Sequence, residues 1–205
     1  MRLYYHPVSA NARRVTLAAQ HMGAPLELTE VNLLDEADRR RLLAINPNNQ
    51  VPVLQDGDFV LWESCAIMQY LADQTPGHTL YPRELRQRAD IHRWMFWGGE
   101  HFAPALATFA FEHIWKGVTG QGGPNPAELE RAGKLVARFA AVADAQLAGR
   151  QWLLGESLTL ADFVVATPLM YIEQAHLPVK DYANLMAWFG RVQQLEAWKR
   201  TEPVW

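Results

Sequence analysis

The hydrophobic pattern of this chain changes period several times in its first 75 residues. Leu3, Tyr4 and Tyr5 form a short apolar run that His6-Pro7 ends, which predicts a first strand. From Asn11 to about Met22 the spacing is helical, with Val15, Ala18 and Ala19 on one face and Arg13, Arg14 and Gln20 off it; Gly23 and then Pro25 supply the stop. Leu26 to Val31 alternates apolar and polar, as a half-buried strand does. Strand, helix, strand over this length predicts a right-handed βαβ unit with parallel strands. A second helix is expected from Asp35 to Ile45, broken by Asn46-Pro47-Asn48-Asn49. Val51-Pro52 then starts a strand that Val53-Leu54-Gln55 continues. Asp56-Gly57 is a strong two-residue turn signal, and Asp58 to Leu61 returns antiparallel. Glu63-Ser64 opens a helix to about Asp73, with Ser64 placed as its N-cap.

Turn residues dominate from Thr75 to Pro82, and beyond them the pattern is helical throughout. Glu84 to about Phe111 predicts a helix with kinks at Gly98-Gly99 and before Pro104. A glycine- and proline-rich loop runs from Thr119 to Pro126. Leu129, Ala132, Leu135, Val136, Phe139, Val142, Ala143 and Leu147 then form a helical stripe that Gly149 ends. Thr159-Leu160-Ala161-Asp162 has the form of a capping box, with Leu158 and Phe163 placed to staple it. A last helix is expected from about Leu185 to Lys199. The predicted organisation is an α/β domain over residues 1–76, a linker over 77–85 and an all-helical domain over 86–205.

Composition narrows the function. With 205 residues, 49% hydrophobic and 20% charged, the chain can bury one or two substantial cores. A net charge of −3 gives no basic field for nucleic acid, and no run approaches the roughly 18 apolar residues of a membrane span. The first residues lack the apolar core of a signal peptide, and Cys65 is the single cysteine, so no internal disulfide can form. The expectation is a cytoplasmic protein that engages neither membrane nor nucleic acid. The seven histidines have no metal-ligand spacing, so no metal is expected.

The order βαβ, ββα, linker, helical domain describes a thioredoxin-like domain followed by an all-α domain. Five motifs in that order carry a closer resemblance: Tyr5-His6-Pro7-Val8-Ser9 with Arg13-Arg14-Val15, Asn46-Pro47-Asn48-Asn49-Gln50-Val51-Pro52-Val53-Leu54, Asp56-Gly57-Asp58, Trp62-Glu63-Ser64-Cys65-Ala66-Ile67, and Leu154-Gly155-Glu156-Ser157-Leu158-Thr159-Leu160-Ala161-Asp162. On these the chain resembles the cytosolic glutathione transferases over its full length, and among them a phi-like bacterial member of the serine-type classes. The resemblance implies an enzyme that uses glutathione as co-substrate and attacks a small hydrophobic electrophile with its sulfur. It also implies a homodimer. Isomerisation, reductive dehalogenation or peroxide reduction on the same scaffold, and a non-catalytic glutathione-binding or regulatory role, are the alternatives.

That chemistry needs a thiolate, and a free thiol with pKa about 8.5 is only slightly ionised at neutral pH. Lowering it by one or two units takes about 1.4–2.8 kcal/mol, within reach of one hydroxyl donor in a partly dry site plus a helix N-terminus. Ser9, between the first strand and first helix, is the residue the resemblance assigns to that donor. A serine so placed is equally an ordinary N-cap. Tyr5, which precedes His6-Pro7, and Asn11 are the competing donors. The resemblance further gives Val51 a two-way backbone pairing with the cysteinyl unit through a cis Val51-Pro52 bond, Glu63 the γ-glutamyl ammonium, Ser64 its α-carboxylate, and Gln50 the glycyl end. Arg39-Arg40-Arg41 reads mainly as a solvated charge run. Cys65 lies too late in the chain for a catalytic thiol and reads as a small buried residue. Phe109 and Trp115 are the aromatics expected at an electrophile pocket, and Trp205 is a further candidate to cover it or the core.

Overall fold

The computed structural model describes residues 1–203, so Trp205 lies outside the described residues. Its strands are β1 (Arg2–Tyr5), β2 (Glu27–Glu30), β3 (Val53–Asp56) and β4 (Phe59–Trp62). The helices are α1 (Ala10–Met22), α2 (Glu36–Leu43), α3 (Ser64–Gln74), α4 (Leu85–Trp97), α5 (Ala103–Ala110), α6 (Lys116–Val118), α7 (Pro126–Leu147), α8 (Leu160–Ala166), α9 (Ala183–Gln193) and α10 (Glu196–Arg200). By internal packing the chain forms two units. One comprises Met1–Tyr81 with the C-terminal segment from Leu195, and the other comprises Pro82–Gln194.

The first unit is built on one four-stranded sheet in the order β2-β1-β3-β4. β1 pairs parallel with β2 and antiparallel with β3, and β3 pairs antiparallel with β4. Leu3 sits in the middle, opposite Leu28 and Leu54, and both Leu3 and Leu54 are wholly buried. β2 is an edge strand, so the expected half-buried alternation fails there: Leu28 is 49% exposed, and Val31 just beyond the strand supplies the buried contact. The hairpin register pairs Asp56 with Phe59, which makes Gly57-Asp58 the turn rather than Asp56-Gly57. Gly57 takes φ +61, the left-handed conformation that glycine adopts without a Cβ penalty.

α1 corrects the sequence reading most clearly. Arg13 and Arg14 belong to its buried face, at 3% exposure each, because α1 packs against both α3 and α10 and so has little solvated surface at those positions. The Arg13 guanidinium lies over the Trp198 ring, 3.8 Å from its centre, and donates to the Trp198 carbonyl at 3.2 Å. Arg14 Nη1 reaches Ser64 Oγ at 3.5 Å and Cys65 Sγ at 3.8 Å. The expected single C-terminal helix is two, α9 and α10, because Leu195 turns to extended backbone (φ −62, ψ 132) between them. The segment expected to finish the helical domain thereby packs with the first unit.

The second unit is helical, and its core includes Phe102, Leu106, Val136, Phe163 and Trp188. Two π-helical segments, Gly98–Phe102 and Phe111–Trp115, interrupt the run from α4 to α6. The first begins at the glycine pair expected to kink the helix. On α7 the apolar stripe is buried at Ala132, Val136, Ala143 and Leu147, but Val142 is 44% exposed and Ala140 takes its place inward. The capping box at Thr159 is present, and Asp162 completes a larger network. Its carboxylate accepts from the amides of Leu153 and Thr159 (2.9 Å each), the Thr159 hydroxyl (3.0 Å) and the Trp188 indole N–H (3.0 Å). Burial pushes the Asp162 carboxyl above the usual carboxylate range, while these four donors pull it back.

Gly98 carries a prediction of its own. In a helix interior, glycine to alanine normally gains about 1 kcal/mol. Here a Cβ would stand 3.1 Å from both Val164 Cγ1 and Val165 Cγ2, branched side chains of the buried α8. Overpacking costs about 1–3 kcal/mol and should outweigh the helical gain. Gly98→Ala is therefore expected to lower the thermal midpoint, checked by calorimetric melting, whereas a raised midpoint would show that α8 yields.

Candidate active site

Two chain turns of the first unit meet at one cleft. The loop from α2 to β3 brings Asn46, Asn48, Gln50, Val51 and Pro52, and the β4–α3 junction brings Glu63 and Ser64. Asn11 of α1 completes the lining of this open, shallow cleft. The five residues expected to hold a peptide-like ligand thus share a single wall, joined by three asparagines.

Each wall group is positioned by a local cause. Val51 is buried at 7% exposure yet lies outside both strand ladders, since the pairing of β3 begins at Val53. Among the described residues no protein group bonds the Val51 N–H or C=O. The Val51-Pro52 peptide is cis. An unpaired main-chain donor and acceptor at a cleft wall form a short edge to which an extended peptide can add as a strand does.

Glu63 is the N-cap of α3, a place the sequence reading gave to Ser64. Its φ of +72 with ψ of 110 is a sparsely populated conformation for a residue with a side chain. Its carbonyl accepts from the Ile67 amide at 2.9 Å, but its carboxylate makes no cap hydrogen bond, and among the described residues it forms no ion pair. An exposed, uncommitted carboxylate on a strained backbone is available to a cation. Ser64, the first residue of α3, is 6% exposed, with the guanidinium of Arg14 at its hydroxyl. The start of an eleven-residue helix, a hydroxyl and a buried guanidinium together favour a carboxylate. The cleft thus offers complements to both charges of an amino-acid head group, beside an edge for its peptide.

The candidate thiolate donors part company. Ser9 is the N-cap of α1, its Oγ accepting from the Ala12 amide at 3.3 Å, which leaves the hydroxyl proton free to be donated. Asn11 is exposed and lines the cleft, whereas Ser9 and Tyr5 are outside its lining. Burial, and then Glu30, push the Tyr5 phenol above its ordinary value, which makes it a weaker donor. The arginine run also stays outside the lining: Arg40 bonds Glu36 at 2.7 Å and Arg41 bonds Asp38. Cys65 is half-buried rather than buried, against Arg14.

In the second unit, Phe109 is 8% exposed, its ring packed beside Gly133 of α7 and stacked on His113. Trp115 is half-buried, edge-on to Tyr171. His113, which sequence reasoning missed, also meets His176 at 5.1 Å, and burial followed by His176 lowers its basicity. Nothing in its neighbourhood along the chain marks it, because His176 is 63 positions away. Asn46 and Asn48 were missed for another reason. Asn-Pro-Asn-Asn reads as a helix break, which it is, and the same signal hides their place in the wall.

Comparison with known proteins places the whole chain in one family. Residues 1–73 match the family model "Glutathione S-transferase, N-terminal domain", and residues 101–196 match "Glutathione S-transferase, C-terminal domain". The chain is 33% identical over 201 residues to human glutathione S-transferase theta-2, covering 94% of the chain and 80% of that protein. It is 29% identical over 202 residues to glutathione S-transferase F10 of Arabidopsis thaliana, covering 95% and 93%. The crystal structure of glutathione transferase F7 from Populus trichocarpa superposes with a TM-score of 0.89 over 98% of this chain and 96% of that one, at 24% identity.

Proposed function

Because the chain belongs to the glutathione S-transferase family, we propose that its cleft binds reduced glutathione, stabilises the thiolate and directs it at small hydrophobic electrophiles. One observation carries the assignment: the uncommitted Glu63 carboxylate, the Ser64 end of α3 and the unpaired Val51 edge line the same cleft. Glu63 takes the γ-glutamyl ammonium, Ser64 and the helix amides its α-carboxylate, and Val51 the cysteinyl main chain on both sides. Gln50 donates to the glycyl end. Glutathione titration by calorimetry tests this directly. Saturable binding at micromolar to millimolar concentration is expected, and no heat of binding would overturn the assignment.

Ser9 is the donor to sulfur in this proposal. Its oxygen is occupied by an amide while its proton is not, so it can cap α1 and donate to a thiolate at once. It needs no base, because it gives a hydrogen bond and keeps its proton. Ser9→Ala is expected to raise the pKa of the bound thiol by about one unit, the worth of one charge-assisted hydrogen bond. Thiolate absorbance against pH reads the shift. An unchanged curve in Ser9→Ala with a raised one in Asn11→Ala would move the role to Asn11, the donor that lines the cleft.

Within the family we assign the chain to the serine-type classes, phi-like in its first-domain motifs, and a plant F10 protein is among its relatives. The Phe109 and Trp115 rings, packed with the His113 and Tyr171 rings, support an aromatic-rich setting for a hydrophobic second substrate. A cytoplasmic homodimer accords with the family, and light scattering should give twice the 23.3 kDa chain mass.

A further inference from the structure

We infer that Asn46 is a positioning residue for glutathione, holding the Gln50–Val51 peptide plane so that the Val51 N–H stays available to the ligand; this rests on the cleft being the glutathione site. Asn46 is 3% exposed and sits just beyond α2. Its side-chain amide is bonded at both ends. Nδ2 donates to the Gln50 carbonyl at 2.7 Å, and Oδ1 accepts from the Asn48 amide at 3.0 Å and from Asn48 Nδ2 at 3.2 Å. The main chain closes the same loop, with the Asn46 amide donating to Leu42 O at 2.8 Å and the Asn49 amide donating to Asn46 O at 2.9 Å. Between them Asn49 is held at φ +52.

The geometric consequence concerns one peptide unit. The Gln50–Val51 bond is trans, the chain's cis bond among the described residues being the next one. In a trans peptide the C=O and the following N–H point to opposite sides of one rigid plane. Fixing the Gln50 carbonyl on Asn46 therefore fixes the Val51 N–H in the opposite direction, where no acceptor among the described residues meets it. Without that tether the plane can rotate, and the proposed donor to the cysteinyl carbonyl is no longer pre-aimed. Pre-organisation of this kind lowers the ordering cost of binding without adding a contact. Glu63 and Ser64, on the other chain turn, are untouched by it.

The test uses the full-length protein and two ligands. One is glutathione, and the other is an analogue whose cysteinyl carbonyl is replaced by methylene, so that it cannot accept from Val51. Asn46→Asp keeps the shape and the acceptor for Asn48 but sets an oxygen against the Gln50 carbonyl. It is expected to weaken glutathione about tenfold and the analogue less than twofold. In turnover assays KM for glutathione should rise while kcat at saturation holds. Asn46→Ser, whose hydroxyl is too short to span the gap, repeats the measurement if the aspartate variant does not fold. If the variant binds glutathione as tightly as a wild type that does bind it, the inference fails and the site stands. If both ligands weaken equally, Asn46 only shapes the loop, and the inference fails again. If the wild type binds no glutathione, the site itself falls.

Discussion

Replacing Asp162 with alanine should lower the unfolding free energy by about 3–5 kcal/mol, and the melting temperature by on the order of 10 °C. The size follows from what is left behind. The Leu153 amide, the Thr159 amide and the Trp188 indole N–H all point at this carboxylate from buried positions, and each orphaned donor costs about 1–3 kcal/mol. Asparagine should recover part of the loss. Its amide can face the Thr159 hydroxyl, which is able to accept, but the Thr159 amide beside it stays orphaned. Calorimetric melting of both variants checks the order, and a loss of under 2 °C in the alanine variant would mean that water replaces the carboxylate.

The second large effect falls on binding. Glu63→Gln removes the charge offered to the ligand's ammonium, and hydrogen bonds to charged groups are worth about 1.5–3 kcal/mol. Glutathione affinity should fall about ten- to a hundredfold, since 1.4 kcal/mol is a factor of ten. Stability should behave differently. Among the described residues nothing pairs with this carboxylate, and its backbone at φ +72 suits a residue without Cβ. Glu63→Gly should therefore bind as poorly as the glutamine variant yet melt no lower than the wild type, because relief of strain of about 1–3 kcal/mol offsets the flexibility added to the unfolded chain. Titration and melting of the two variants side by side decide this. A glycine variant that melts well below the wild type would show that the conformation is not strained.

How far the chain could be read depended on whether a feature was local. The βαβ and ββα periods, the capping box at Thr159 and the break at Asn46-Pro47 are set by neighbours within a few positions, and all are visible in the string. The wall residues Gln50 to Pro52 and Glu63-Ser64 were legible too, because each group sits at a strand or helix end. What was hidden depends on contacts far along the chain. Arg13 and Arg14 look like the polar face of an amphipathic helix until α10 arrives from 185 positions away to cover one of them. The Glu63 cap was misassigned because residue type favours Ser64, whereas the tight exit from β4 demands a positive φ one residue earlier. The His113–His176 contact has no local sign at all.

The return of α10 to α1 has a bearing on how this protein is made. During synthesis the thioredoxin-like portion emerges more than a hundred residues ahead of the stretch that shelters Arg13. Until that stretch follows, the Arg13 guanidinium lacks the Trp198 ring and one flank of the first helix is uncovered. A fragment cut after Tyr81 would inherit that defect permanently. Its soluble expression should improve when a peptide spanning Leu195 to Thr201 is supplied in trans, which would make the tail a detachable part of a domain that precedes it by more than a hundred residues.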